Sequence, residues 1–110
     1  MKKVLRCIVD FKPDIIHIHG AYGYYLNVKS LYSLIKQKNY KTVNTLHSCW
    51  DFTGHCCYYT YARCEKWKSV CYKCPEKHEY PTSYFMDASR KNYLAKKELF
   101  TGIRGEVIVT

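Results

Sequence analysis

The chain has 110 residues, 47% hydrophobic and 16% aromatic, with 18 Lys and Arg against 9 Asp and Glu for a formal charge of +9. A chain of this length fits one domain and can bury a core without disulfide staples. No apolar run is long enough for a membrane-spanning helix, which is therefore excluded, whereas a basic balance of this size attracts anions: nucleic acid, an anionic membrane face or phosphorylated small molecules.

From Lys3 to Phe11, Val4, Leu5, Ile8 and Phe11 recur at helical spacing, and Pro13 supplies a stop. Cys7 lies in that helix and is expected to be a small buried side chain. Asp10, Lys12 and Asp14 interrupt any apolar core, so the basic N-terminus does not read as a secretory signal. A reducing, cytoplasmic setting is the expectation. Asp14-Ile15-Ile16-His17-Ile18-His19-Gly20 is short, β-branched and nearly continuous in its apolar character, which predicts a strand buried on both faces. Asn27 can cap a helix with a stripe of Val28, Leu31, Leu34 and Ile35, and Lys36 and Lys38 suit its last turn. A second strand is predicted over Lys41–His47. Strand, helix and strand at these lengths form a βαβ unit with parallel strands, so the fold class is α/β with a Rossmann-like parallel sheet.

A Cys-rich insertion follows over about 49–75. Cys56, Cys64, Cys71 and Cys74 are set out as C-x7-C-x6-C-x2-C before Pro75. Four thiolates ending in a CxxC pair match the ligand number of tetrahedral zinc, and in a reducing cytosol such a pattern is more often metal than disulfide. Two disulfides, or four ordinary thiols, remain the alternatives. Cys57 is the weaker ligand candidate, and His55 could replace one sulfur. Pro81 is expected to open a long basic helix with Phe85, Ala88, Ala95 and Leu99 on one face and Arg90, Lys91, Lys96 and Lys97 contributing charge. Gly102 is its predicted stop. Glu106–Thr110 reads as a third strand, and a strand at the terminus with no capping helix is expected of a truncated domain.

In open parallel sheets ligands bind beyond the carboxyl ends of the strands. Both predicted strands end in histidine there. His47 is the stronger candidate, because an imidazole can serve a phosphate, a sugar hydroxyl or a developing charge near neutral pH. A structural capping role is the competing expectation. Asp51 is the nearest carboxylate and could orient His47 or act on a hydroxyl. His17 is expected on the face opposite His19, hydrogen-bonded within the fold. Gly20 and Gly23 permit close backbone approach, though two glycines also make an ordinary tight turn.

Taken in order, Pro13–Gly20, Gly23–Asn27, Thr45–Cys56, Cys64–Trp67, Cys71-x2-Cys74-Pro75 and the helix from Ser89 to Phe100 make a series that resembles the family 4 glycosyltransferases of bacterial polysaccharide synthesis, over nearly the whole chain. The resemblance implies part of the N-terminal, acceptor-side domain of a GT-B enzyme, spanning 1–110 here. Such enzymes transfer a sugar from a nucleotide-sugar donor to a saccharide or lipid-linked acceptor, with retention and without a metal in the reaction. By the same resemblance His47 is the catalytic-cleft histidine, and Gly20 with Tyr22, Gly23 and Tyr24 lines the acceptor side. The family commonly has aspartate directly after that histidine, where this chain has Ser48. The paired glutamates of the nucleotide-sugar domain have no counterpart, since Glu98 and Glu106 match only their spacing. One partial domain cannot supply both walls of a cleft, so the chain alone is expected to be catalytically silent. Peripheral contact with the anionic inner face of a membrane stays open. A small zinc-binding nucleic-acid module is the alternative, and nucleic acid is the lesser expectation because the lysines are spread over helices instead of forming one stripe.

Overall fold

The structure, a computed structural model, describes residues 1–21, 25–79 and 82–110; Tyr22, Gly23, Tyr24, Tyr80 and Pro81 lie outside the described residues. The chain divides into two compact units, one of Met1–His47 with Thr101–Thr110 and one of Ser48–Phe100.

The first unit contains α1 (Lys2–Phe11), β1 (Ile15–His19), α2 (Val28–Lys38), β2 (Lys41–Thr45) and β3 (Glu106–Val109). Its sheet has the order β1-β2-β3 with both pairings parallel, as the α/β expectation required. Ile15 to His19 pair with Lys41 to Thr45, and Thr42 to Thr45 pair with Glu106 to Val109. Beyond the ladder, the Leu46 N–H donates to the Val109 carbonyl at 2.8 Å.

Asn27 caps α2 as predicted: its Oδ1 accepts the Ser30 N–H at 2.9 Å. The helix ends where Asn39 turns left-handed at φ 56°, with its N–H on the Ile35 carbonyl. Leu31, Tyr32 and Ile35 are its buried residues. The period-two alternation of strands puts Ile16 and Ile18 on one face with their register partners Thr42 and Asn44. Of these, Ile18, Thr42 and Asn44 are buried, and the Asn44 amide donates to the Tyr32 hydroxyl at 3.3 Å. The other face is open: Ile15 is 57% and Val107 56% exposed. The expectation that β1 is buried on both faces is therefore corrected. No residue of α1 is buried, and Cys7, expected inside, is exposed.

The second unit has little regular structure. Two single-turn 3-10 helices, Trp50–Phe52 and Lys66–Lys68, precede α3 (Ser89–Phe100). The long helix expected from Pro81 is shorter at its start. Asp87 is the physical reason: its Oδ1 accepts the Ser89 N–H at 2.9 Å and its Oδ2 the Cys74 N–H at 2.6 Å, which anchors the helix start to the cysteine loop. The predicted apolar face also fails, since Phe85 is 97% exposed and Ala95 is exposed. Instead, Ser89, Tyr93, Lys96 and Phe100, spaced four, three and four residues apart, face the rest of the unit. Ser89 is buried, Tyr93 donates its hydroxyl to the Trp67 carbonyl at 3.0 Å, and Phe100 meets the Trp50 ring edge-on. Phe52, Tyr59 and Trp67 form an aromatic cluster with centroids 5.0 to 6.1 Å apart. Gly54 has to be glycine, because a Cβ there would stand 2.1 Å from the Ser89 carbonyl oxygen.

Lys96, expected to contribute charge to the helix, reaches inward. Its ammonium donates to the carbonyls of Trp50 at 2.7 Å and Thr53 at 3.0 Å, and sits 3.6 Å from the centroid of the Trp50 ring. Burial pushes its pKa down to about 8, opposed by the charge of Asp51.

Two stability predictions follow from these contacts. Tyr32→Phe leaves the buried Asn44 amide without its acceptor and costs about 1–3 kcal/mol in urea unfolding, while adding Asn44→Leu recovers part of that loss. A double variant as unstable as the sum of its singles would count against the pairing. Lys96→Met strands two carbonyls and the buried Asp51, destabilising by about 1–3 kcal/mol at pH 7. Between about pH 8, the folded value, and the ordinary lysine range, the unfolded chain holds more protons at Lys96 than the folded one. The wild type should therefore gain stability relative to Lys96→Met as pH rises through that window. Parallel pH profiles would show that Lys96 is not held as described.

Candidate functional site

The parallel register brings the histidines to one edge of the sheet in the first unit. His19 ends β1, and His47 lies two residues past Thr45, the register partner of His19. Their rings meet: His19 Nδ1 is 3.0 Å from His47 Nε2, with centroids 5.3 Å apart and planes tilted by 30°. Partial desolvation, then the neighbouring imidazoles of His17 and His47, push the pKa of the exposed His19 down. His17 corrects an expectation. Residues i and i+2 of a strand share a face, so His17 lies beside His19 with ring centroids 4.0 Å apart, and its Nε2 bonds to Thr45 Oγ1 at 2.9 Å. Gly20 turns the chain out of β1 at φ 51°, a left-handed conformation that favours glycine. Tyr25 braces this turn by donating its hydroxyl to the Gly20 carbonyl at 3.0 Å.

In the second unit, Cys56, Cys64, Cys71 and Cys74 line one small cavity of about 10 Å³ with Thr53, His55 and Glu76. That is room for about one water-sized guest. Cys56 and Cys74 are hydrogen-bonded through their sulfurs. This contact pushes the Cys56 thiol up and lowers Cys74 to about 7. Burial raises Cys71. All seven cysteines are free thiols. Both carboxylate oxygens of Glu76 and the Nε2 of His55 are buried without a hydrogen-bond partner. Among the described residues no three His, Cys, Asp or Glu groups are drawn together at metal-binding positions. Cys57, the weaker ligand candidate, is buried, and its carbonyl accepts the Cys49 N–H at 2.6 Å.

Of the residues singled out by sequence, His47 and Gly20 lie at the sheet edge, and the four cysteines share a cavity. Tyr22, Gly23 and Tyr24 lie outside the described residues. Asp51 belongs to the second unit, where burial raises its pKa against the opposing charge of Lys96. Its Oδ2 is buried without a hydrogen-bond partner. Sequence reasoning missed three contributors. The contact between His19 and His47 was available from the parallel register of the predicted strands. Lys96 was available from its spacing with Ser89, Tyr93 and Phe100. Glu76 carries no local signal at all.

No family model and no solved structure matches the chain. A curated relative does: the chain is 37% identical over 93 residues, 80% of its length, to the "Putative colanic acid biosynthesis glycosyl transferase WcaC" of Escherichia coli (strain K12). The match spans 22% of that relative. Over that stretch the chain is similar to part of a glycosyl transferase named for the biosynthesis of a polysaccharide.

Proposed function

We propose that this chain forms the acceptor-side part of the N-terminal domain of a GT-B transferase, over 1–110, with the cysteine insertion at about 49–75 as a structural clamp. The protein carrying it moves a sugar from a nucleotide-sugar donor to a hydroxyl of a saccharide or lipid-linked acceptor, in the cytoplasm or at the inner face of the membrane. The observation that carries the proposal is the 93-residue match to a glycosyl transferase named for colanic acid biosynthesis. The three-stranded parallel sheet supports it, since ligand sites of such sheets sit at the carboxyl edge, where His47 lies.

In this mechanism His47 contacts the donor sugar or its phosphate, and its imidazole stabilises charge as the glycosidic bond to the leaving phosphate breaks. In this reading the backbone turn at Gly20 belongs to the acceptor side, to which Tyr22, Gly23 and Tyr24 are also assigned. Transfer needs donor and acceptor held together away from water, which calls for a second wall. The isolated chain should therefore release no product from nucleotide-sugar donors. Placed in the relative in exchange for its matching segment, it should support transfer, and His47→Ala in that chimaera should lower turnover about 10²–10³-fold. Full turnover by the His47→Ala chimaera would remove His47 from the reaction.

We also propose one structural zinc held by Cys56, Cys64, Cys71 and Cys74. Support comes from the shared one-guest cavity and the Cys56–Cys74 contact. Zinc would give the sulfurs their partner as thiolates and cross-link the loop, with the four side chains closing in from their present positions. Protein purified under reducing conditions should contain zinc at about one per chain, and chelation should lower its melting temperature. Stoichiometric absence, with no rise in melting temperature on adding zinc, would eliminate the clamp.

A further inference from the structure

The bond between His19 and His47 limits what His47 can offer a ligand. A neutral imidazole has one donor and one acceptor nitrogen, and the partner of one nitrogen sets the state of the other. Nε2 of His47 is engaged by His19 at 3.0 Å, which leaves Nδ1. The two ring centroids stand 5.3 Å apart with their planes 30° from parallel.

We propose that His19 is a positioning residue for His47: its Nδ1 accepts the His47 Nε2–H, His47 presents Nδ1 to an anionic oxygen, and the pair takes up one proton when that oxyanion binds. The proposal rests on the transferase assignment only for the source of the oxyanion, a phosphate of the donor diphosphate.

Three observations place the added proton on His47. His19 is flanked on both sides, by His17 at 4.0 Å and by His47 at 5.3 Å between centroids, so charge on the middle ring is disfavoured twice. Partial desolvation of this exposed ring by its neighbours acts in the same direction. Nε2 of His17 is already engaged by Thr45, so it does not compete for the bond. A doubly protonated His47 donates from both nitrogens, to His19 through Nε2 and outward through Nδ1.

Within the first unit, no acidic side chain among the described residues pairs with that charge. The pair is faced by His17 from β1, Thr45 from β2 and the Tyr25 hydroxyl, which donates to the Gly20 carbonyl. Among the described residues of the first unit the acidic side chains are Asp10, Asp14 and Glu106, and none is at this edge. Asp10 pairs with Arg6 on α1, Asp14 precedes β1 and Glu106 begins β3. An incoming oxyanion favours the charged form of the ring it touches.

The test uses the 110-residue chain labelled with 15N-histidine, read by long-range proton–nitrogen NMR across pH, with inorganic pyrophosphate as the probe. The expected result is one proton taken up by the pair, His19 kept neutral with its hydrogen on Nε2, and His47 charged. Pyrophosphate should move the midpoint of the pair's titration upward, perturb Nδ1 of His47 most, and bind more tightly as pH falls. His19→Asn retains an acceptor oxygen near the Nδ1 position and should preserve this linkage, whereas His19→Phe should weaken pyrophosphate binding about tenfold. If His19→Phe fails to fold, the wild type and His19→Asn still decide the matter. His19 taking the charge, His47 showing mixed tautomers, or equal behaviour of the Asn and Phe variants would overturn the proposal. The two assignments fail separately: proton-linked pyrophosphate binding beside an inactive chimaera removes the transferase reading alone, and His47-dependent turnover without linkage removes the pair alone.

Discussion

Both edges of β2 carry parallel partners, and the register this imposes decides where chemistry can occur in the first unit. Pairing His19 with Thr45 and Thr45 with Val109 sets the three strand ends level. β1 then leaves the sheet through His19 and Gly20 at the edge where β2 leaves through Leu46 and His47. An antiparallel pairing would have put the two histidines at opposite ends of the sheet. A slip by one residue would have turned His19 to the other face, because side chains alternate with a period of two. The imidazole contact is therefore a product of topology, and no local sequence preference creates it.

The second unit coheres by another means. With only α3 and two single-turn helices as regular structure, its loops have few backbone ladders to satisfy their polar groups. Two charged side chains take over that task. Lys96 collects the carbonyls of Trp50 and Thr53, and Asp87 collects the N–H groups of Cys74 and Ser89. Each ties α3 or its start to a loop far away in sequence. Gly54 completes the arrangement by letting the cysteine loop approach the backbone of Ser89, which no side chain at that position would allow.

The elements with strong local signals were legible in the sequence. Asn27 as a cap, the β-branched run at Ile15–Ile18 and the crossover between two parallel strands all depend on residues close together in the chain, and all are present. Burial was less legible. The apolar run of β1 has the composition of a strand covered on both sides, but coverage depends on what packs above and below, which the run itself does not encode. The start of α3 was misplaced for a related reason. Helical spacing from Phe85 onward is real in the sequence, yet Asp87 spends its carboxylate on Cys74 and Ser89, a tertiary contact that overrides the spacing. His47 and the cysteine quartet were found because their residue types carry chemistry wherever they fall. His19 and Lys96 were named in the sequence without these roles, which come from partners across the fold.

The charge of the chain acquires a direction in the first unit that its total does not convey. A formal +9 attracts any anion. Along the parallel sheet, however, Asp14 and Glu106 stand at the amino ends of β1 and β3, and His19 and His47 stand at the carboxyl edge. α2 follows β1 in the crossover, so its N-terminus, with the positive end of its dipole, emerges at that same edge. At the histidine edge an anion therefore meets the positive end of the α2 dipole beside the paired imidazoles. That alignment costs the fold little, because each contributor lies where the βαβ topology would have put it in any case.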